Sequence, residues 1–234
     1  MTDAATAYTR DFILSALPPA AKRVLEIGCG AGALAAELAQ AELTIVAIDS
    51  DPAQVDEAKA RGVDARSATW PDFSDGRFDA ILFTRSLHHV DDLEVSVAAA
   101  FAALTEGGRL IVEDFMAEGC SDRSELWFAS LAALLDQGGL LAEPSGHLAE
   151  VLGRTPTEAH DHHLHSSGAI EAALRAQAET VRTESSAYYF RYLLPSLPDG
   201  RPGLAKGLLD HELALIDAGL IDPLGRRYVA GGRV

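Results

Sequence analysis

The chain has 234 residues, 48% of them hydrophobic and 23% charged, and a formal net charge of −16 at pH 7. Phosphate binding takes clusters of Lys and Arg that this sequence lacks, so nucleic acid and anionic membrane are not expected as partners and a small molecule is. Its cysteines, Cys29 and Cys120, suggest neither a disulfide framework nor a thiolate zinc site, and with no apolar run of bilayer length and no secretory leader a cytoplasmic protein is expected.

In chain order, a helix is expected within residues 1–21, then an apolar strand over 24–27 that runs into Gly28, Cys29, Gly30, Ala31 and Gly32. An Ala- and Leu-rich helix over 33–41 follows, and a strand over 43–48 ends in Asp49. Asp51 can cap a helix over 52–61 with Pro52 in its first turn. A short strand is expected near 65–68, a turn-rich stretch over 71–76, a buried strand over 78–83, a helix over 91–104 and a strand over 110–115. Beyond these lie a helix over 121–135, a loop with a short helix over 144–157, a helix over 167–177, a strand over 180–190, a helix over 204–219 and a strand over 227–230. Strands alternating with helices specify an α/β, doubly wound, mostly parallel sheet. No repeat or linker divides the chain, so one domain over 1–234 is expected.

The strand, glycine turn and helix form a cofactor cradle. Gly28, Gly30 and Gly32 allow φ > 0 and a close approach of backbone to ligand, and any side chain there would occupy ligand space. Asp49, about 17 residues past the last glycine, suits a ribose diol, with Ser50 beside it. The dinucleotide fingerprint is G-x-G-x-x-G, whereas this spacing is G-x-G-x-G with Glu26 two residues before the first glycine. A carboxylate there repels a pyrophosphate but suits the ammonium and sulfonium charges of S-adenosylmethionine, which is the cofactor expected.

These residues closely resemble the first motif of the class I methyltransferases, E/D-x-G-x-G-x-G, and Asp49 resembles the acidic residue of their second. The resemblance covers residues 22–116. It includes Phe78 and Asp79 opening the fourth strand, Ser86 to Val90 closing it, and Leu104 to Gly108 before the fifth. It implies a seven-stranded sheet closed by an antiparallel C-terminal hairpin, a cofactor half over 22–116, a helical lid insertion after strand 5 over 117–165, and C-terminal sheet and helices over 166–234. It also implies transfer of a methyl group from S-adenosylmethionine, leaving S-adenosylhomocysteine, to an N, O or C nucleophile of a small molecule. Many relatives carry an Asp after the third strand for the adenine amine. Here Arg66, Ser67, Ala68, Thr69 and Trp70 stand there, so Ser67 or Thr69, with the backbone at Ala68 contacting the ring, is expected to take that role. Thr84 and Arg85 are expected to offer backbone groups to the cofactor's amino acid end.

Methyl transfer needs a base only if the nucleophile arrives protonated. His88 and His89, just past the fourth strand, are candidates, with helix capping or packing as the alternative. The run His160, Asp161, His162, His163, Leu164, His165 has spacings that metal ligation could use with Glu113 or Asp114, but with no further Cys or His to close a site no metal is expected. Instead His165 joins the catalytic candidates, and His162 and His163 the substrate contacts. Trp127 on the lid and Tyr188, Tyr189 and Arg191 on a late strand are the other substrate candidates, although aromatics in a strand often serve only packing. Other classes left open are a cofactor-binding protein of this fold repurposed for other chemistry or regulation, and an NAD-dependent oxidoreductase. Polyamine synthase-like aminopropyl transfer is disfavoured by Thr84, Arg85 and Ser86, where acidic residues would be needed. The expected assembly is a monomer or homodimer.

Overall fold

The alternating apolar runs build a sheet of seven strands with the spatial order β3-β2-β1-β4-β5-β7-β6 in a computed structural model that describes residues 4–144, 146–153, 164–198 and 202–231. The strands are β1 (Arg23–Ile27), β2 (Thr44–Asp49), β3 (Asp64–Ser67), β4 (Phe78–Thr84), β5 (Leu104–Phe115), β6 (Thr180–Ser186) and β7 (Gly225–Gly231). The first five are parallel, and β7 runs antiparallel to both β5 and β6. The expected doubly wound sheet with an antiparallel C-terminal end is therefore present.

The helices are α1 (Ala4–Ala16), α2 (Ala33–Ala39), α3 (Pro52–Ala60), α4 (Leu93–Ala103), α5 (Asp122–Gln137), α6 (Gly146–Val151), α7 (Ser167–Gln177), α8 (Phe190–Leu193) and α9 (Pro202–Asp217). Short polar side chains start several of them: Asp51 accepts from Ala53 N at 2.8 Å and Asp92 from Val95 N at 3.0 Å. Among the described residues no helix is long and apolar enough to cross a membrane.

Strand alternation sorts the core. Leu25, Ile81, Phe83, Leu110 and Val112 pack with Val97 of α4 and Ile170 and Leu174 of α7. Val24, Ala47, Leu82 and Ile111 point the other way, onto Phe12 and Ile13 of α1, Leu38 of α2 and Ala58 of α3. The same period carries Glu26, Asp49, Thr84 and Glu113 onto the α1–α2 face at the carboxyl ends of their strands, and Asp114 onto the opposite face. A third cluster joins α5, α6, α8 and α9 to Phe115, Tyr8 and Ala5, so the helices inserted after β5 pack over the end of that strand and the start of α1.

One element differs from the sequence expectation. The strand expected over 180–190 stops at Ser186, because β7 begins at its partner Gly225 and no ladder remains beyond. Glu212 of α9, fully buried, replaces the ladder: its carboxylate accepts the N–H groups of Tyr188 at 2.7 Å, Tyr189 at 3.0 Å and Phe190 at 2.8 Å. Those bonds turn the chain into α8, and Tyr188, Tyr189 and Arg191 leave the sheet. Glu212→Ala strands three buried donors and is expected to cost about 3 kcal/mol or more of stability, read as a lowered midpoint in urea unfolding.

Candidate functional site

The loop after β1 takes left-handed turns at Gly28 (φ +74°), Gly30 (φ +52°) and Gly32 (φ +76°). The reason for two of them differs from expectation. A Cβ on Gly28 would lie 2.6 Å from Ser86 Cβ, and one on Gly32 2.7 Å from Ala58 Cβ, so these glycines admit the β4 loop and α3 rather than clearing ligand space. At Gly30 the nearest atom is Gln54 Oε1 at 3.6 Å, which leaves that position open. The amides of Gly28 and Cys29 both donate to Ile48 O, at 2.9 and 3.0 Å, and tie the loop to the end of β2. Asp49 is held by backbone at both oxygens, Oδ2 by Gly30 N at 2.8 Å and Oδ1 by Asp51 N at 3.0 Å.

Two clefts adjoin at Gly28 and Arg85 along this edge. The first, about 310 Å³, is walled by Ile48, Asp49, Ser50, Ala68, Trp70 and His89, among others. The second, about 300 Å³, runs under the loop past Glu26, Cys29, Gly30, Thr84 and Thr9 of α1. Ser67 ends β3 as an exposed side chain outside the first cleft, which Thr69 and Trp70 line in its place. Trp70 is a site residue that was not singled out; its indole donates to Ser96 O at 3.0 Å and stands edge-on to Phe83.

Glu26 is 1% exposed. Oε1 accepts from the Thr84 hydroxyl at 3.2 Å, while Oε2 has no hydrogen-bond partner among the described residues. Burial pushes its carboxyl up to about 7, against the pull of the Thr84 hydroxyl and the Arg85 charge. A buried carboxylate oxygen with nothing bonded to it matches a cationic ligand. Asp49 and Glu26 thus place two carboxylates in adjoining clefts, with the glycine loop between them. These residues fit S-adenosylmethionine; the burial of Glu26 in the second cleft is incompatible with a pyrophosphate.

The histidines separate into distinct environments. His88, in a 3-10 turn after β4, sets Nδ1 2.6 Å from Asp114 Oδ1 and its N–H 3.2 Å from Oδ2, with both side chains buried. Nδ1–H then donates to the carboxylate and Nε2 is left as the proton acceptor. The His88 ring meets Phe115 edge-on at 4.8 Å and His89 at 4.0 Å, and His89 lines the first cleft. His165 braces this turn, with Nε2 2.8 Å from Val90 O and its amide donating to His88 O, and it borders a separate hollow between α4 and α7 instead of either cleft. His162 and His163 lie outside the described residues.

Of the substrate candidates, Trp127 and Tyr189 lie in the third core cluster, ring to ring at 5.8 Å, and the fully buried Tyr189 donates its hydroxyl to Glu125 at 2.6 Å. Tyr188 packs on Phe115 at 5.0 Å, and burial raises its phenol above the usual range. Arg191 joins a buried centre around Glu113, whose Oε1 takes the Thr9 hydroxyl at 2.6 Å and Arg191 Nη2 at 2.8 Å. Arg227 bonds Oε2 through Nε at 2.8 Å. Burial raises the Glu113 carboxyl, but Arg191, Arg227 and Thr9 outweigh it and hold the group below its ordinary value. The signal for this centre was the Glu113–Asp114 carboxylate pair at the end of an apolar run; the arginine partners of Glu113 come from segments 78 and 114 residues away.

A family model described as a methyltransferase domain matches residues 3–175. An uncharacterised methyltransferase of Mycobacterium tuberculosis is 31% identical over 125 residues, 50% of this chain and 62% of that protein. A ubiquinone biosynthesis O-methyltransferase of Xanthomonas axonopodis is 32% identical over 111 residues, 44% of this chain and 46% of that one. The chain thus spans less than two thirds of the length of these curated relatives. Among solved structures, a Thermotoga maritima protein described as a SAM-dependent methyltransferase, possible histamine N-methyltransferase, superposes with a TM-score of 0.58 at 17% identity, covering 97% of this chain and 89% of that one. Magnesium protoporphyrin IX methyltransferase of Synechocystis, with bound S-adenosylhomocysteine, gives 0.57 at 15% identity, covering 98% and 82%. The chain belongs to the methyltransferase domain family.

The raised Glu26 carboxyl gives a pH signature with a definite sign. Its charged form is disfavoured by folding, so the ligand-free protein gains stability from neutral Glu26 at low pH and loses it as pH rises from the ordinary carboxylate range through about 7. Glu26→Gln is expected to raise the melting temperature of ligand-free protein at pH 8 and to differ little at pH 5. A cationic ligand needs the ionised form, so S-adenosylmethionine affinity measured by calorimetry should climb between about pH 5.5 and pH 7 in the native protein and stay flat in Glu26→Gln.

Proposed function

We propose that this protein is an S-adenosylmethionine-dependent methyltransferase, EC 2.1.1 in type, that moves a methyl group to a nitrogen, oxygen or carbon nucleophile of a small molecule. The observation that carries the reading is Glu26: buried, short of one hydrogen bond, and facing the cleft that adjoins Asp49. Asp49 would bind the ribose hydroxyls, Glu26 the α-ammonium, and Ala68, Thr69 and Trp70 would flank the adenine. When bound, the cofactor supplies an electrophilic methyl group on a sulfonium, which a nucleophile displaces in line.

The protein's own work is to orient the nucleophile, exclude water and, where the nucleophile is protonated, accept the proton. His88 suits that last task, because Asp114 holds its Nδ1–H and stabilises the imidazolium that would form at Nε2. His89, at the cleft wall, is placed to contact the acceptor. Helices α5 and α6, from the segment expected to form the lid, would separate the acceptor from solvent, given how they pack over the end of β5. The acidity of the chain and the absence of a membrane-spanning helix among the described residues support a small-molecule substrate and a cytoplasmic protein, monomeric or homodimeric. The buried Glu26 counts against the NAD-dependent oxidoreductase, while the His88–Asp114 pair favours an enzyme over a repurposed binding protein.

Calorimetric titration with S-adenosylmethionine, S-adenosylhomocysteine and NAD tests the proposal: micromolar binding of the first two and none of NAD is expected, and NAD binding alone would overturn it. Asp49→Ala should cost about 2–4 kcal/mol of cofactor binding through lost charge-assisted hydrogen bonds. Unchanged affinity in that variant would remove Asp49 from the site.

A further inference from the structure

The buried centre behind the second cleft holds a guanidinium that is short of one acceptor. Arg227 takes Glu113 Oε2, through Nε at 2.8 Å and Nη2 at 2.7 Å, and has Glu184 3.9 Å from Nη1. Oε1 is left to three donors: the Thr9 hydroxyl at 2.6 Å, Arg191 Nη2 at 2.8 Å and Arg85 Nη1 at 3.4 Å. A carboxylate oxygen offers about two good lone-pair directions, and the Arg85 contact is the long one. Arg191 has a side chain only 9% exposed, and its Nε has no hydrogen-bond partner among the described residues. Its Nη2 is pinned by Thr9 and Glu113, and its guanidinium lies 5.8 Å from the Tyr188 ring. Arg85 borders both clefts and keeps 37% of its side chain exposed. Arg85 also feels the Glu26 carboxyl across the second cleft, and Glu184 is shared with Arg182 at 2.7 Å, so the group left wanting is the buried Arg191, whose Nε lacks an acceptor among the described residues. A buried donor without an acceptor is costly unless a ligand completes the set.

We infer that Arg85 and Arg191 bind a carboxylate of the methyl acceptor, so that the substrates are small carboxylic acids whose apolar body rests on Phe115 and Tyr188. The inference rests on the methyltransferase reading and sharpens it. The cofactor's own carboxylate is the rival occupant. Against it, Arg191 is not in the wall of the Glu26 cleft, belongs to the aromatic cluster of α5, α6, α8 and α9, and follows the segment matched by the family model. A planar fork from Arg191 and a mobile one from Arg85 suit a carboxylate, which accepts two parallel N–H bonds from each guanidinium.

The experiment is calorimetry on the full-length protein saturated with S-adenosylhomocysteine, titrated with benzoate and with its neutral isostere benzamide. Benzoate is expected to bind at least about tenfold more tightly, and Arg85→Gln and Arg191→Lys should each weaken benzoate by about tenfold while S-adenosylhomocysteine binding changes by less than about threefold. Equal binding of benzoate and benzamide to the loaded protein would overturn the assignment. So would variants that lose S-adenosylhomocysteine but keep 5′-methylthioadenosine, which lacks the amino acid, because the anion would then be the cofactor's own. No S-adenosylhomocysteine binding at all would overturn the methyltransferase reading and the assignment with it. Should Arg191→Lys not fold, Arg85→Gln, with its half-exposed side chain, decides the matter alone.

Discussion

Glu113 is the residue on which the functional half of the molecule is assembled. It stands in a row across the sheet, opposite Thr84 on β4 and Arg227 on β7, with Glu184 of β6 opposite Arg227 in turn. Through its carboxylate it also reaches Thr9 of α1 and Arg191 of α8. One buried group therefore ties together the N-terminal helix, the centre of the sheet, the antiparallel end and the segment bearing Tyr188. Taking such a carboxylate out of water is expensive, and only the converging guanidinium groups and hydroxyl keep it ionised; removing one partner of such a set typically costs about 3–5 kcal/mol.

The two ends of the cofactor site are built on opposite electrostatic terms. Asp49 is satisfied in the ligand-free protein, since backbone amides hold both of its oxygens in place. That pre-organises the ribose site proposed for Asp49 at little entropic cost to a ligand. Glu26 is left partly unsatisfied, buried with Oε2 unbonded among the described residues. Under the proposed function the ligand's ammonium would supply the missing partner, which would make that end the selective one.

The chemistry-bearing side chains divide between the two faces of the sheet by strand periodicity. Glu26, Thr84 and Glu113 share the α1–α2 face, whereas Asp114, one residue on, turns to His88 on the other. Consecutive carboxylates on β5 therefore serve different partners, one a cluster of arginines and one an imidazole. The 3-10 turn that carries His88 is itself braced from α7's approach by His165, which joins the candidate base to the C-terminal half of the chain.

The strands and helices through β5 and the cradle were legible in the sequence because they are local. Apolar runs, glycines at two-residue spacing, and Glu26 and Asp49 at fixed distances from them determine strand, turn and helix within short windows. The N-terminal caps Asp51 and Asp92 act within three residues of themselves. The segment over 187–193 was not legible, because its conformation is set by Glu212 from a helix about two dozen residues further on, and aromatic strand-like composition points the other way. The reasons for Gly28 and Gly32 were likewise hidden, since Ser86 and Ala58 come close only once β4 and α3 have packed. Sequence alone thus determined the class of fold and the cofactor edge, where information travels along the backbone. Tertiary structure alone decided that Glu113 gathers arginines, that Tyr189 and Trp127 are core, and that Arg191 is buried with Nε unpartnered among the described residues, because each depends on burial and charge brought together across the fold.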